Sequence, residues 1–462
     1  MKRHVFFIGI GGIGMSALAK YYTHQGYRVA GYDKTPSAIT KELEGLNVFC
    51  FFEESEALLQ DLYREVPNEL LEVVYTPAVP KNSCNVTYFL NRGLPIKKRS
   101  EVLGQITRNH KTIAIAGTHG KTTTTTLVTH LLKSAGCNIT SFMGGLSANY
   151  NTNYISGNPS QDNHWMIVEA DEFDRSFHQL EPDYVILTSM DADHLDIYNS
   201  IEEVEKSYQQ FIDKLKPNGT LIVKNSVNNQ IVFSGKTLSY DLNLKVHYSA
   251  GNIHFTSDAS SIFDFNATDK TWKNLKCSVP GIHNIENALA ALALAHCLGI
   301  NESQARSGLA SFKGVSRRFD IRYSSNRFYF IDDYAHHPTE LRAAIQSCRT
   351  LFPNLPLTGI FQPHLYSRTR DFKNEFAQVL STLDHCILMP IYPARELPIP
   401  GVSSEDLLEA VTAPQKQLMQ PAQILEYIKT QRLGVIITMG AGDIGELAND
   451  LALQFKTQLH ED

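Results

Sequence analysis

Short apolar runs alternate along this chain with longer stretches whose apolar residues recur every three or four positions. The run at residues 5–8 predicts a strand, and the segment 15–24, closed by Gly26, predicts a helix. Further strands are predicted at 28–32, 47–52 and 72–76. A second series begins with a strand at 112–116 and a helix at 123–135, where Leu127, Val128, Leu131, Leu132 and Ala135 share one face. Strands at 165–169, 184–189 and 220–224 follow, then a helix at 284–297 that stops at Gly299. Polar and aromatic residues alternate through 240–280, which predicts antiparallel strands. A third series has strands at 328–331, 357–362, 385–390 and 433–439 with helical stretches between them.

Repeated strand–helix alternation predicts an α/β fold with parallel sheets. At 462 residues the chain exceeds one ordinary domain. We expect three: 1–104, 105–313 and 314–462, with the polar, basic stretch 95–111 acting as a linker. There is no short-period repeat, and the one low-complexity tract is the threonine run 122–126.

Composition narrows the class. The chain is 43% hydrophobic, and 42 basic against 48 acidic residues give a net charge of −6. No basic stripe suggests nucleic acid and no polybasic cluster suggests a membrane surface. Cys50, Cys84, Cys137, Cys277, Cys297, Cys348 and Cys386 are scattered without a Cys-x-x-Cys pair, which fits reduced thiols in a cytoplasmic protein. The apolar start at residues 5–15 imitates a signal-peptide core, but glycines interrupt it and a helical pattern continues to Gly26. No uninterrupted apolar stretch reaches transmembrane length.

The sharpest chemical signal is Gly117-Thr118-His119-Gly120-Lys121-Thr122, with Thr123 after it, set between a strand and a helix. Such a turn points backbone N–H groups and the positive helix end at an anion. Lys121 would reach the terminal phosphates of a bound nucleotide and the Thr122 hydroxyl would bind Mg²⁺. Ile115 stands five positions before Gly120, so the loop is shorter than the common nucleotide-hydrolase form. Replacing Lys121 by Ala should abolish activity and leave the fold intact.

Gly9, Gly11 and Gly14 form a second glycine loop, G-x-G-x-x-G, suited to a diphosphate. NAD is one owner of a diphosphate among several. Asp33, at the end of the next strand, either holds a ribose hydroxyl or caps the loop. Carboxylates at 169–174 follow a strand, where open α/β sheets bind ligands, and Glu169 is the natural partner of Thr122 on a metal. His194, among acids after the strand at 184–189, suits a second metal position. Asn284 and Asn287 share a helix face; they either read a base edge or cap and brace the helix. In the third region Asp332-Asp333-Tyr334-Ala335-His336-His337-Pro338 follows a strand, and Pro338 suits a helix start. Arg318, Arg368 and Arg395 either grip phosphates or carboxylates or form surface ion pairs.

The shortened loop, Glu169-Ala170-Asp171-Glu172, Asp193-His194-Leu195-Asp196 and His283-Asn284-Ile285-Glu286-Asn287-Ala288 together resemble the Mur ligases, which form amide bonds in peptidoglycan precursors using ATP. Gly9-Ile10-Gly11-Gly12-Ile13-Gly14-Met15-Ser16, the 332–338 motif and His364-Leu365-Tyr366-Ser367-Arg368-Thr369 are similar to the branch that adds L-alanine to UDP-N-acetylmuramate. The resemblance spans nearly the whole chain. It implies a Rossmann-like first domain for the UDP sugar, a phosphate-loop central domain for ATP and a third α/β domain that closes over both.

The residue roles it implies are as follows. Gly9, Gly11, Gly12, Gly14, Met15, Ser16 and Asp33 would bind the UDP sugar, and Asn284, Asn287, Arg318 and Asp333 would join the 117–123 loop around ATP. Thr122 and Glu169 would hold one Mg²⁺ and His194 a second. Tyr334, His336, His364 and Arg368 would surround the muramoyl carboxylate and alanine, with His336 as candidate base and Lys121, His336 and Arg368 as catalytic residues. Several members complete the second Mg²⁺ site with a carbamylated lysine. Lys206 and Lys214 are nearby here, yet 208–211 fills the expected stretch. The expected product arises through an acyl phosphate. A monomer or weak homodimer acting on small molecules is expected. A tripeptide-recycling ligase, a dehydrogenase and a non-catalytic nucleotide-binding regulator are the competing readings.

Overall fold

A computed structural model of the chain describes every residue except Met1, Ala78, Lys81, residues 192–197, Asn199, residues 257–259, Asn326, Arg395, and residues 430–432 and 459–462. The chain forms two compact units, Met1–Thr256 with Ser260–Lys313, and Gly314–Asp462.

The first unit contains two sheets. The N-terminal sheet runs Phe49–Phe51, Arg28–Tyr32, His4–Ile8, Leu71–Tyr75, Ile96–Lys98 in space, all parallel. Order therefore reverses beside His4–Ile8, the position at which open sheets leave a crevice for a ligand. The helix Ile13–His24 starts directly after the glycine loop, and Met15, Ala17, Leu18 and Ala19 bury its inner side.

In the second sheet the strand Lys111–Ala116 lies between Tyr184–Leu187 and Trp165–Glu169, parallel to both. Thr220–Lys224, Lys236–Asp241 and Tyr248–Phe255 continue the parallel order on one side. Ser261–Ala267 and Thr271–Cys277 then turn antiparallel, so the 240–280 region extends the central sheet instead of forming a separate layer. On the other side stands the hairpin Ile139–Ser147 and Thr152–Ile155, which the sequence pattern did not reveal.

The phosphate-loop helix, Lys121–Ser134, is threonine-rich, yet Thr124, Thr125, Thr126 and Thr129 are fully buried. Thr126 and Thr129 donate to the carbonyls of Thr122 and Thr125 four residues back, so those hydroxyls need no water. The helix packs against Ile282–Cys297. Ala288, Ala290, Ala291, Ala293 and Ala295 are buried there, and their small side chains permit close approach.

The stretch 95–111 is not a linker. It supplies the fifth strand, Ile96–Lys98, and the helix Arg99–Thr107. Its polar composition misled because several of the helix residues that pack inward, Ser100, Gly104 and Thr107, are not apolar, while Glu101 accepts the Lys98 N–H at 2.7 Å and starts the helix.

A joint ties the N-terminal helix to the hairpin. Lys20, 2% exposed, reaches Asn153 Oδ1 at 2.8 Å, Thr152 Oγ1 at 3.0 Å and Glu42 Oε1 at 2.6 Å. Asn153 Nδ2 donates to Ile13 O at 2.5 Å and Ser16 Oγ at 2.9 Å. Tyr21 packs on Phe142 beside them.

The second unit holds one sheet in the order Asp320–Ser324, Phe328–Asp333, Gly434–Met439, Leu357–Phe361, His385–Leu388, Gln415–Leu418. The first pair is antiparallel and the rest parallel. Pro338 opens the helix Pro338–Leu351 as the sequence predicts.

Candidate active site

Two glycine loops in the first unit have the form of anion cradles. In the N-terminal one, the amides of Gly9 and Ile10 donate to Tyr32 O at 2.8 and 3.0 Å, and Gly9 holds φ +89°. Gly11 N donates to Asp33 Oδ2 at 2.7 Å, so one oxygen of Asp33 caps the loop. A Cβ at Gly11 would lie 2.8 Å from that oxygen. Gly12 stands at the helix N-cap with no side-chain cap, and no acidic residue occupies the first turn. That helix end keeps its positive field for a ligand. Ser16, one of the expected binding set, is fully buried: its hydroxyl donates to Ile13 O and accepts from Asn153, so that group serves the joint.

In the second cradle Gly117 and Gly120 have φ of +133° and +80°, and Lys121 begins the helix. Thr118 and the backbone of His119 are clamped to the loop after Tyr184–Leu187: Asp191 N donates to Thr118 Oγ1 at 2.9 Å and His119 N to Ser189 Oγ at 2.8 Å. Lys121 Nζ donates to Gly117 O at 2.7 Å and meets Glu172 Oε1 at 2.8 Å. Burial alone would lower the Lys121 pKa, but Glu172, Glu169 and Asp171 outweigh it and raise it, so the ammonium stays charged. Burial raises Glu172, against the pull of Lys121. Lys121 is therefore also half of a buried ion pair, which bears on the expectation that its removal leaves the fold intact.

Thr122 Oγ1 donates to Glu169 Oε1 at 3.0 Å, and Gly144 N donates to the other oxygen at 3.1 Å. A Cβ on Gly144 would collide with that carboxylate. A hydroxyl beside a carboxylate is a hard-oxygen donor set that fits Mg²⁺. Among the described residues no three His, Cys, Asp or Glu side chains cluster to hold a metal by themselves. His194 lies outside the described residues, as does Arg395. Lys206 and Lys214 are both exposed.

Asn284 and Asn287 sit next to the phosphate loop but are buried and engaged. Asn287 Oδ1 accepts from Thr124 Oγ1 at 3.2 Å and underlies Gly120, whose Cβ would meet it at 2.6 Å. Asn284 Nδ2 donates to Pro280 O at 2.7 Å. Gly281, not Asn284, is the N-cap. Thr123 is half-buried on the helix's first turn.

A cavity of about 280 Å³ is lined both by the N-terminal glycine loop and by Glu169, the carboxylate that accepts from Thr122. Gly12, Gly14 and Met15 line one wall, and Gly144 and Glu169 another. Arg99 and Asp171 also line it. Sequence reasoning did not find Gly144 or Arg99. The Gly-Gly after an apolar run and a basic residue just past a strand were the available signals.

The second unit gathers the remaining motif residues on its own sheet. Asp332 is fully buried; Arg317 Nε lies 3.2 Å from its Oδ2 and Thr438 Oγ1 donates to its Oδ1 at 2.9 Å. Asp333 accepts from Phe319 N at 2.6 Å and Ala335 N at 2.8 Å, and burial pushes its carboxyl up to about 6, against the pull of Arg318. The Arg318 guanidinium stands 5.4 Å from the Tyr334 ring centre. His336 lies edge-on to Tyr334 at 5.4 Å and to His364 at 6.0 Å. Arg368 Nη1 is 3.4 Å from His364 Nδ1. Burial lowers the His336 pKa, only partly offset by Glu340, so the ring is neutral at pH 7. Leu365, between His364 and the helix Tyr366–Asp371, has φ +71°, a strained backbone of the kind found where side chains must be aimed.

Known proteins are similar to this chain in sequence and fold. Three sequence profiles match in succession: "Mur ligase family, catalytic domain" at residues 4–111, "Mur ligase middle domain" at 115–295 and "Mur ligase, glutamate ligase domain" at 317–442. A UDP-N-acetylmuramate–L-alanine ligase of Flavobacterium psychrophilum is 45% identical over 444 residues, 96% of each chain. One from Cytophaga hutchinsonii is 40% identical over 450 residues, 97% of this chain and 96% of the relative. The crystal structure of UDP-N-acetylmuramate-alanine ligase from Thermotoga maritima superposes with TM-score 0.83 at 26% identity, covering 98% of this chain and 99% of that one. A murein peptide ligase from Psychrobacter arcticus gives TM-score 0.70 at 22% identity over 98% of each chain, a likeness of fold. With a phosphate loop, a diphosphate-type glycine loop and all three profiles in order along it, the chain belongs to the Mur ligase family.

Proposed function

We propose that this chain joins L-alanine to the lactyl carboxylate of UDP-N-acetylmuramate at the expense of ATP. The observation that carries this is one cavity: the diphosphate-type loop at Gly12 to Gly14 lines it together with Glu169, which accepts from Thr122 of the phosphate loop. A nucleotide sugar on one side and a triphosphate on the other would meet there. The full-length relatives of this substrate class support the same reading.

Carboxylate and amine do not condense at neutral pH, because oxide is a poor leaving group. A lactyl oxygen attacks the γ-phosphorus, the bond to the β-phosphate bridging oxygen breaks, and ADP leaves. The alanine amine then attacks the acyl carbon, and inorganic phosphate departs with the former carboxyl oxygen. Lys121 turns its ammonium to the phosphates and the loop amides hold them, so charge is neutralised without solvent reorganisation. Thr122 and Glu169 would hold Mg²⁺, which supplies further neutralisation on the phosphate oxygens. In the second unit, neutral His336 is suited to take a proton from the alanine ammonium, and Arg368 to hold a carboxylate bidentately. We place the enzyme in the cytoplasm, where ATP is held; among the described residues no helix is long and apolar enough to cross a membrane.

Product analysis tests this. With UDP-N-acetylmuramate, ATP and Mg²⁺, L-alanine should give one amide product per ADP, ahead of glycine and L-serine. Preferential use of a murein tripeptide would assign the recycling reaction instead, and cofactor absorbance changes with NAD would assign a dehydrogenase.

A further inference from the structure

The geometry points to Arg99 as a binding residue for the diphosphate of the nucleotide sugar, held on Asp171 until that substrate arrives. Arg99 opens the helix Arg99–Thr107, directly after the strand Ile96–Lys98. It thus stands at the carboxyl end of a parallel strand, on the ligand side of the sheet. Its guanidinium lies against the glycine loop: a Cβ on Gly14 would fall 2.9 Å from Nη1. Its other amine, Nη2, is 3.3 Å from Asp171 Oδ2, and both side chains are partly open to the cavity.

Three features separate Arg99 from an ordinary surface ion pair. It lines the cavity together with Gly12, Gly14 and Met15, where a diphosphate on this loop would lie. The contact with Asp171 is longer than a strong charged hydrogen bond, so it is easily exchanged. The neighbouring pair, Lys98 with Asp174 at 2.8 Å, fastens the same loop without lining that cavity. One pair would fasten the loop, while the other presents a planar donor fork to an anion. A guanidinium matches two phosphate oxygens at once, which an ammonium does not. When the diphosphate binds, Arg99 changes partner, and the Asp171 carboxylate is left facing the cavity.

This rests on the proposed function, so wild-type turnover with UDP-N-acetylmuramate is measured first; its absence would refute that function and leave Arg99 without a substrate. Given turnover, Arg99→Ala should raise KM for UDP-N-acetylmuramate by about tenfold to a hundredfold, the usual worth of a charged bidentate contact, with KM for ATP within about twofold. Arg99→Lys should fall between wild type and the alanine variant, and it carries the test if the alanine variant is insoluble. Lys98→Ala should leave KM unchanged. Asp171→Asn, which breaks the same ion pair from the other side, should not raise KM; a purely structural clasp would make it behave like Arg99→Ala. Calorimetry with UDP alone should show the same loss on Arg99→Ala. Unchanged KM in both Arg99 variants, parallel behaviour of Asp171→Asn, or full UDP affinity in Arg99→Ala would each overturn the assignment.

Discussion

Lys121 Nζ lies 2.8 Å from Glu172 Oε1, and both side chains are largely withdrawn from solvent. The residue that should contact ATP is therefore already half of a buried ion pair. Removing one member of such a pair leaves an uncompensated charge, at a cost of about 3–5 kcal/mol. Lys121→Ala should thus lose turnover and also lower Tm. The double variant Lys121→Met with Glu172→Gln should recover most of the stability and none of the activity. Thermal unfolding alongside ADP release separates the two effects; restored turnover in the double variant would contradict the phosphate role.

Gly144 gives a second test. A side chain there would push Glu169 away from Thr122. Gly144→Ala should raise the Mg²⁺ concentration needed for half-maximal rate and cut kcat by at least about tenfold, as misplaced charge-stabilising groups do. A Mg²⁺ titration of the steady-state rate reads this directly. An unchanged curve would remove Glu169 from the metal site.

The buried joint predicts a change in stability without a change in chemistry. Asn153→Ala removes the acceptor of Lys20 and the donor to Ile13 and Ser16. Leaving buried polar groups unsatisfied costs about 1–3 kcal/mol each. Tm should fall, and amide exchange should quicken in both the helix Ile13–His24 and the hairpin Ile139–Ile155 at once. Faster exchange in one element alone would show that the joint does not couple them.

The pH profile follows from His336. Burial lowers its pKa below the ordinary 6.5, so protonation, and with it loss of a base, occurs only on further acidification. The acidic limb of kcat against pH should therefore have its midpoint below 6.5. His336→Gln should lower kcat throughout the neutral range and flatten that limb. Retention of the limb would move the base to another group.

Local chemistry was legible in the sequence because it is local. A strand, a glycine turn and a helix follow one another within about twenty residues at both cradles, so periodicity and glycine spacing placed Gly9, Gly14, Gly120 and Lys121 correctly in the fold. What joins the cradles was not legible. Arg99 meets Asp171 across 72 positions, and Asn153 meets Ser16 across 137. Nothing in a linear pattern marks such pairs. Residues 95–111 look like a linker for the same reason: Arg99 meets a cavity made by distant segments, and the buried face of the helix includes Ser100, Gly104 and Thr107 beside Val102 and Leu103. Ser16 illustrates the converse, since its motif position suggests a ligand whereas its hydroxyl serves the joint.

The most direct test follows oxygen. UDP-N-acetylmuramate labelled with ¹⁸O in both lactyl carboxyl oxygens is turned over with ATP and L-alanine, and the released phosphate is examined by mass spectrometry. An acyl phosphate formed in the shared cavity predicts one ¹⁸O in each phosphate and one in the amide product. Amide product accompanied by unlabelled phosphate would contradict it.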